Sequence, residues 1–215
     1  MPERAHPDDP AFRDKWRFHL RKGFLPWISV QRNPYRLEVI WRYQWVSRYC
    51  KGRDVLDIPC GVGWGTSLLK GCRTIIGVDI ASEATAEAQQ RYGKHAKFLV
   101  GDASRMPFRS STFDVVACLE GIEHVPPIVG KALVAESARV LRPGGMLFLS
   151  SPHCRTKEHS GNPHHIKEYK PEEVSALIEP YCDIVDVTTR EVDIMAVSYF
   201  QAKRRDESRR QERYR

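Results

Sequence analysis

Residues 54–65 read Asp-Val-Leu-Asp-Ile-Pro-Cys-Gly-Val-Gly-Trp-Gly, and this stretch decides the fold. Its first five residues are mostly apolar, which predicts a short buried strand. Gly61, Gly63 and Gly65 follow, and residues without a Cβ let the backbone turn sharply and approach a ligand closely. Asp57 stands near the carboxyl end of the strand, where open α/β sheets bind their ligands. The stretch therefore predicts a ligand-binding turn, although a glycine-rich turn without a ligand would look the same.

The spacing of the glycines excludes two other nucleotide-binding loops. A phosphate-binding loop has a lysine directly after its last glycine, whereas Gly65 is followed by Thr66. The dinucleotide fingerprint Gly-x-Gly-x-x-Gly has one more residue before its third glycine than this chain has.

Composition limits the class of protein. The chain has 215 residues, of which 41% are hydrophobic, enough for one domain with a full core. No apolar run approaches the ~20 residues that cross a bilayer, and the first residues do not resemble a secretory signal. The cysteines are scattered without a Cys-x-x-Cys pair. We therefore expect a reducing, cytoplasmic location and no membrane span.

The net charge of +7 is concentrated at one end of the chain. Residues 203–215 hold seven Lys and Arg residues and three acids, a net charge of +4. We predict a disordered basic tail here, which could contact RNA or an anionic surface or could simply be a solvated end. A nucleic-acid partner is thus not expected from the charge, but it is not excluded.

Strand and helix patterns alternate after residue 50. Strands are predicted at 54–58, 74–79, 97–100, 113–119, 145–150, 183–189 and 192–199. Helices are predicted at 11–22, 34–50, 64–70, 82–92, 129–141 and 171–179. The alternation predicts an α/β fold, a parallel sheet with helices on both faces, and the short last connection predicts a final antiparallel hairpin. The expected units are a helical cap (1–50), a main domain (51–202) and the tail (203–215).

Two more acids stand at the ends of predicted strands. Asp79 ends the second strand and can accept hydrogen bonds from ribose hydroxyls, or can cap the following helix. Asp102 ends the third strand, where with Ala103 it can meet an adenine edge, or can simply close a turn. Together with the glycine turn, these acids predict a cofactor that contains adenosine.

Five segments, in order, resemble the motifs of class I S-adenosylmethionine-dependent methyltransferases of type 11. They are Val55-Leu56-Asp57, Gly77-Val78-Asp79-Ile80, Gly101-Asp102-Ala103, Phe113-Asp114-Val115-Val116 and Arg139-Val140-Leu141-Arg142-Pro143-Gly144-Gly145. The resemblance implies a seven-stranded Rossmann-like sheet and S-adenosyl-L-methionine as cofactor. The residues it implies for cofactor binding are Arg42, Asp57, Cys60, Gly61, Gly63, Asp79, Ile80, Asp102, Ala103 and Glu120. Pro59 departs from the family pattern and removes a backbone N–H.

The segment Glu120-Gly-Ile-Glu123-His124 follows the fourth strand and marks the catalytic side. Methyl transfer is an in-line displacement, so alignment supplies most of the acceleration, and a hydroxyl acceptor also benefits from a base. His124 is the expected base with Glu123 beside it, although both could merely hold the loop. Arg42 could meet the cofactor carboxylate or could face solvent.

A second group of histidines follows the fifth strand. The residues expected to contact the acceptor are His153, His164, His165 and Tyr169. Asn162-Pro-His-His-Ile-Lys-Glu-Tyr169 resembles a segment of bacterial methyltransferases linked to sugars and surface polysaccharides. Glu120, Glu123 and His124 with a later histidine are similar to the pattern of small-RNA 2′-O-methyltransferases and ubiquinone-pathway O-methyltransferases, where a metal polarises the acceptor. We predict no metal, with the histidines bonded to the acceptor instead.

The sequence thus predicts O-methylation of a small-molecule or glycan acceptor. One alternative is a metal-assisted RNA 2′-O-methyltransferase that uses Glu120, Glu123 and His124. The other is a non-catalytic subunit with the methyltransferase fold. The sequence predicts neither the identity of the acceptor nor the oligomeric state.

Overall fold

The computed structural model describes residues 15–19, 27–31, 34–192 and 195–206, which form two sheets and the helices around the larger one. Strands β1 (Lys15–His19) and β2 (Trp27–Gln31) form an antiparallel pair. The larger sheet contains β3 (Asp54–Asp57), β4 (Thr74–Asp79), β5 (Lys97–Val100), β6 (Phe113–Leu119), β7 (Leu141–Cys154), β8 (Cys182–Val192) and β9 (Met195–Arg204). The helices are α1 (Pro34–Ser47), α2 (Ser82–Tyr92), α3 (Pro127–Val140) and α4 (Pro171–Ile178).

The large sheet has seven strands in the order β5-β4-β3-β6-β7-β9-β8. The first five strands in this order pair in parallel, and β9 runs antiparallel to both of its neighbours. The predicted α/β fold with a final antiparallel hairpin is confirmed. Because the chain order reverses between β3 and β6, a crevice opens at the carboxyl ends of these strands.

Alternating residues of the central strands pack into two hydrophobic cores. Leu56 on β3 packs on the side of α3 and α4, while its neighbour Val55 packs on the side of α1 and α2. Both are fully buried. Trp45 on α1 contacts Phe148 on β7 with ring centroids 4.8 Å apart, so α1 shares a core with the sheet. Burial on both faces explains why the neighbouring residues Val55 and Leu56 of β3 are both apolar.

The predicted element type differs from the structure in two segments, and the bounds of several other elements, among them β7, β8 and β9, differ by a few residues. Residues 15–19 are a strand, although the pattern of 11–22 predicted a helix, because they pair with 27–31 across a connection that no local pattern reveals. Most of the helix predicted at 64–70 is irregular, and only Thr66–Leu68 forms a 3₁₀ turn. The helix predicted at 34–50 is α1. Residues 1–14 of the predicted cap lie outside the described residues.

The beginning of the predicted tail belongs to the sheet. Strand β9 continues to Arg204, whose guanidinium donates to the carbonyl oxygen of Leu141 and, over 3.1 Å, to the hydroxyl of Ser111. The amide of Arg205 donates to the carbonyl of Tyr181 at 3.3 Å. Disorder from residue 203 is therefore wrong for 203–206, and 207–215 lie outside the described residues. No helix in the described part is long and apolar enough to cross a membrane.

Candidate functional site

A cavity of about 910 Å³ lies at the carboxyl ends of β3, β4, β5 and β6. The turns after these four strands supply much of its wall, and α1, the 160–165 loop, β7 and β9 supply most of the rest. This is the crevice that the sheet order predicts for a ligand. Its volume suits a cofactor together with a small acceptor.

Asp57 lies beneath the cavity and is fully buried. One carboxylate oxygen accepts the Thr66 hydroxyl at 2.6 Å, and the Tyr43 hydroxyl lies 3.2 Å from both oxygens. Burial raises the pKa of Asp57 to about 7, although the hydrogen bonds from Thr66 and Tyr43 oppose the rise. Asp57 is not among the wall residues. It therefore anchors the glycine turn and α1 from behind, rather than lining the site as expected.

The three glycines of the turn differ in the space around them. Gly61 lines the cavity at a φ of +54°, and an added Cβ would meet no atom within 4 Å. At Gly63, an added Cβ would lie 2.8 Å from Phe98, and at Gly65 it would lie 2.1 Å from the Tyr43 ring. Gly63, expected at the cofactor, is off the wall. Gly61 thus leaves open space on the ligand side, and the other two permit close packing.

Asp79 connects the glycine turn to the end of β4 at the cavity wall. Its Oδ2 accepts the amide of Gly61 at 2.8 Å, and its Oδ1 accepts the amide of Ala81 at 2.9 Å. The bond to Ala81 matches the alternative role at the start of α2, although the cap residue itself is Ala81. Each carboxylate oxygen has a second lone pair. Asp79 can therefore hold the turn and still accept ribose hydroxyls.

Asp102 closes a turn and also lines the cavity. Its Oδ1 accepts both the hydroxyl and the amide of Ser104 at 2.7 Å, and these bonds lower the pKa of Asp102. Ala103, Cys60 and Ile80 line the same wall, where Ile80 is 73% exposed. An apolar side chain this exposed offers a flat contact for an aromatic ring. The arrangement fits the expected adenine end.

Arg42 faces the cavity rather than solvent, and its side chain is only 13% exposed. Its Nη1 lies 3.6 Å from Oε2 of Glu120, whose Oε1 accepts the Ser150 hydroxyl at 2.7 Å. The buried Nε of Arg42 has no hydrogen-bond partner among the described residues. A buried donor without a partner is costly, and a ligand carboxylate would satisfy it. The solvent-facing alternative for Arg42 is wrong.

His124 lines the cavity, and a backbone carbonyl determines which of its ring nitrogens carries the hydrogen. Its Nδ1 lies 2.9 Å from the carbonyl oxygen of His164. A carbonyl can only accept, so Nδ1 carries the hydrogen and the neutral ring keeps a lone pair on Nε2. Nε2 lies 3.8 Å from Oε1 of the fully buried Glu123. This arrangement can accept a proton and stabilise the resulting imidazolium.

His165 lies beside His124, with ring centroids 5.2 Å apart. Its Nδ1 is 2.8 Å from Oε1 of Glu168, and its Nε2 is 3.1 Å from the amide nitrogen of Asn162. The carboxylate accepts and the amide nitrogen donates, so His165 is held as the neutral Nδ1–H tautomer. Burial acts to raise the pKa of Glu168, but hydrogen bonds from Ser160 and His165 outweigh it and lower the pKa.

Three of the four residues expected to contact the acceptor lie off the cavity wall. Tyr169 is 3% exposed and packs in the core, where a Cβ added to Gly130 would lie 3.0 Å from its hydroxyl. His153 lies on β7 outside the wall, and burial lowers its pKa. His164 contributes its backbone carbonyl to His124. Only His165 lines the cavity as expected.

A metal-capable group exists, but it differs from the expected alternative. Ligand atoms of Glu123, His124 and His165 lie within 4.8 Å of one another. Glu120, expected in this set, is outside the group and contacts Arg42 and Ser150 instead. Both ring nitrogens of His165 already take part in hydrogen bonds.

Sequence reasoning missed Glu38 on α1, which is 7% exposed and lines the cavity. It accepts the Tyr199 hydroxyl at 2.6 Å and the Nε of Arg190 at 3.1 Å. These partners lie 161 and 152 residues further along the chain, so no local pattern could indicate them. Asn162 was quoted only as part of a motif, although it lines the cavity and bonds to His165.

Comparisons with known proteins agree with this geometry. Residues 56–149 match the model of a family described as a methyltransferase domain. A protein of Mycolicibacterium smegmatis named as a probable S-adenosylmethionine-dependent methyltransferase is 34% identical over 149 residues, which cover 67% of this chain and 56% of the relative. A ubiquinone biosynthesis O-methyltransferase of Thiobacillus denitrificans is 32% identical over 125 residues, covering 55% and 53%. The chain thus spans about half the length of these relatives.

One solved structure shows how widely the fold is used. The crystal structure of a cyclase named SpnF has a TM-score of 0.70 at 16% identity, and the match covers 81% of this chain and 84% of that one. The likeness supports the fold alone, because one fold carries many kinds of chemistry. The activity has to be argued from the site.

Proposed function

We propose that this chain is a class I S-adenosylmethionine-dependent methyltransferase that methylates a hydroxyl group of a small molecule, with His124 as the general base. The match of residues 56–149 to a methyltransferase-domain family and the likeness to a probable S-adenosylmethionine-dependent methyltransferase support this proposal. The observation that carries the proposal is the bond from Nδ1 of His124 to the His164 carbonyl, which leaves Nε2 as the lone-pair atom on a residue of the cavity wall. An O-methyltransferase among the relatives supports oxygen as the acceptor atom.

The residues present fit S-adenosylmethionine, which supplies an electrophilic methyl group on a positively charged sulfur. Asp79 and Asp102 stand where ribose and adenine can be bound, and Ile80 and Ala103 provide apolar contact beside them. Open space at Gly61 and the unpaired Nε of Arg42 suit the methionine end. Asp57 and Gly63 support this surface from behind.

In the proposed reaction, Nε2 of His124 would take the proton of the acceptor hydroxyl as the carbon–oxygen bond forms and the methyl–sulfur bond breaks, with S-adenosylhomocysteine as the leaving group. The imidazolium is stabilised by the carbonyl of His164 on one side and by the carboxylate of Glu123, 3.8 Å away, on the other. Positioning the hydroxyl in line with the methyl group supplies most of the acceleration, and the base adds about 10²–10⁴-fold.

A screen with radiolabelled S-adenosylmethionine tests the proposal. Phenols, aliphatic alcohols, sugars and matched amines would be supplied at equal concentration, and products would be located by mass spectrometry. We expect methyl ethers as the products. Methylation confined to amines, or S-adenosylmethionine that fails to bind in calorimetry, would overturn it.

A second candidate function is metal-assisted methyl transfer, because Glu123, His124 and His165 bring three ligand atoms within 4.8 Å. It would require His165 to give up its bond to Asn162 or Glu168. Activity that survives a chelator, in protein shown by elemental analysis to be metal-free, would contradict this candidate. The cofactor-facing residues are retained, which favours an enzyme over a non-catalytic subunit.

A further inference from the structure

The charge of the cavity is opposite to the charge of the chain. The chain carries a net charge of +7. Among the described residues, by contrast, the cavity wall has five carboxylates and one guanidinium, that of Arg42. The five acids are Glu38, Asp79, Asp102, Glu120 and Glu123.

The positive groups near the wall offset these acids only in part, since Arg190, which lies outside the wall, pairs with Glu38 at 3.1 Å. Arg42 is already paired with Glu120 at 3.6 Å, and the hydrogen bonds of His165 hold it neutral. Bound S-adenosylmethionine has one net positive charge, which leaves the wall negative. Low-dielectric walls focus such a field on whatever enters the cavity. An anionic acceptor brought here would meet like-charge repulsion.

The remaining wall is largely apolar. Val125 and Val129 border the cavity on one side, and Pro152, Met195 and Val197 border it from β7 and β9. These side chains offer no donor to a phosphate or carboxylate. They suit a ring or short chain that is removed from water.

From these observations we propose that the acceptor is an uncharged molecule with an apolar ring or chain next to its reactive hydroxyl, and that the cavity rejects acceptors bearing phosphate or carboxylate. This inference rests on the proposed function and narrows its substrate class. The cavity would therefore reject nucleotide sugars and RNA, because both carry phosphate groups.

Glu38 provides a sharp way to change the charge of the wall. It lies on the wall, while its partner Arg190 lies outside it, 39% exposed and stacked over the Trp41 ring at 4.1 Å. Glu38→Gln removes a negative charge and leaves the Arg190 charge without its partner. Arg190→Gln removes the positive charge and leaves Glu38 unneutralised. The two substitutions each introduce a glutamine, and they change the field in opposite directions.

The experiment uses the full-length protein and three catechols that carry an ethyl, a carboxylate or a phosphate group at the same ring position. Two quantities are measured: kcat/KM for methyl transfer, and the affinity of each catechol for the protein loaded with S-adenosylhomocysteine. We expect both kcat/KM and affinity to be at least about tenfold higher for the ethyl catechol than for either anionic catechol. Glu38→Gln should narrow this ratio several-fold, and Arg190→Gln should widen it.

The outcomes separate the inference from the proposed function. Anionic catechols that bind as tightly as the ethyl compound would overturn the inference, as would failure of all three to bind. Both variants moving the ratio in the same direction would also overturn it, since that indicates a structural effect rather than charge. Preferential binding of the ethyl compound without any methylated product would support the inference and count against the proposed function.

Discussion

The Nδ1 atom of His124 lies 2.9 Å from the backbone carbonyl oxygen of His164, forty residues further along the chain. This bond connects the loop after β6 to the loop between β7 and α4. It determines which nitrogen of His124 carries the proton, and it makes the orientation of the ring depend on the path of the second loop. Because the partner is a backbone carbonyl, a substitution of the His164 side chain leaves this bond in place. Such a substitution therefore serves as a control for changes at His124.

Replacing His124 by alanine should lower turnover by about 10²–10⁴-fold, since the base is lost, while binding of S-adenosylmethionine is retained. His164→Ala is the matched control, because it keeps the carbonyl that His124 uses. Single-turnover rates and calorimetry check both. Equal losses in the two variants would show that the histidines only maintain the loop.

Asp79→Ala should weaken binding of S-adenosylmethionine by about tenfold or more, because the ribose loses an ionised acceptor and the amides of Gly61 and Ala81 lose theirs. Asp183→Ala, at a side chain 68% exposed on β8, is the control and should bind normally. Isothermal calorimetry measures both dissociation constants. An unchanged affinity for Asp79→Ala would contradict its role at the ribose.

Alanine at two glycines of one turn should produce different defects. Gly65→Ala places a Cβ 2.1 Å from the Tyr43 ring, so we expect a loss of about 1–3 kcal/mol in the free energy of unfolding. Gly61→Ala meets no neighbour but must hold a φ of +54° and fills space on the ligand side. It should lose cofactor affinity with a smaller stability loss, about 1 kcal/mol. Urea unfolding and calorimetry separate the two effects.

The raised pKa of Asp57 predicts a pH dependence of stability. Its pKa is about 7 in the folded protein against an ordinary 3.8, so the folded state binds a proton that the unfolded state releases between these values. The contribution of Asp57 to stability is therefore lost as pH rises from about 4 to about 7, by up to about 4 kcal/mol. Asp57→Asn should flatten this slope in urea unfolding between pH 4.5 and 8.

A slope unchanged by Asp57→Asn would assign the effect to another group. Asp54 serves as an internal reference, because hydrogen bonding to Arg73 lowers the pKa of its carboxyl well below the usual range. Its contribution to stability is present above the ordinary pKa and lost only in stronger acid, outside the window measured for Asp57.

Two truncations should test what the end of β9 contributes to stability. Removal of 207–215 should leave Tm within about 1 °C, since it leaves β9 and its described contacts in place. Removal of 203–215 deletes Arg204, which bonds to Leu141 and Ser111, and should lower Tm by several degrees. Differential scanning calorimetry at matched concentration measures both. Equal Tm values would mean that the end of β9 adds nothing to stability.

The strands that carry the site were predictable from short stretches of sequence. Strands β4, β5 and β6 begin and end at the predicted residues, because each is a run of four to seven residues with strong β preference bounded by turn signals. Asp79 and Asp102 could be placed from these bounds alone. Strand β1 could not be predicted from a short stretch of sequence. It pairs with β2, which begins eight residues after β1 ends.

Sequence by itself determined the fold class, the cofactor and the acids at the strand ends, because these depend on patterns within a few residues. It indicated a basic protein, with a net charge of +7. Only the tertiary structure showed that five carboxylates converge on the cavity, that Asp57 and Tyr169 are buried away from it, and that the His164 carbonyl orients His124. These features depend on the strand order and the loop paths, which bring together residues that are distant in the sequence. Contacts of this kind produce no periodic pattern in the sequence.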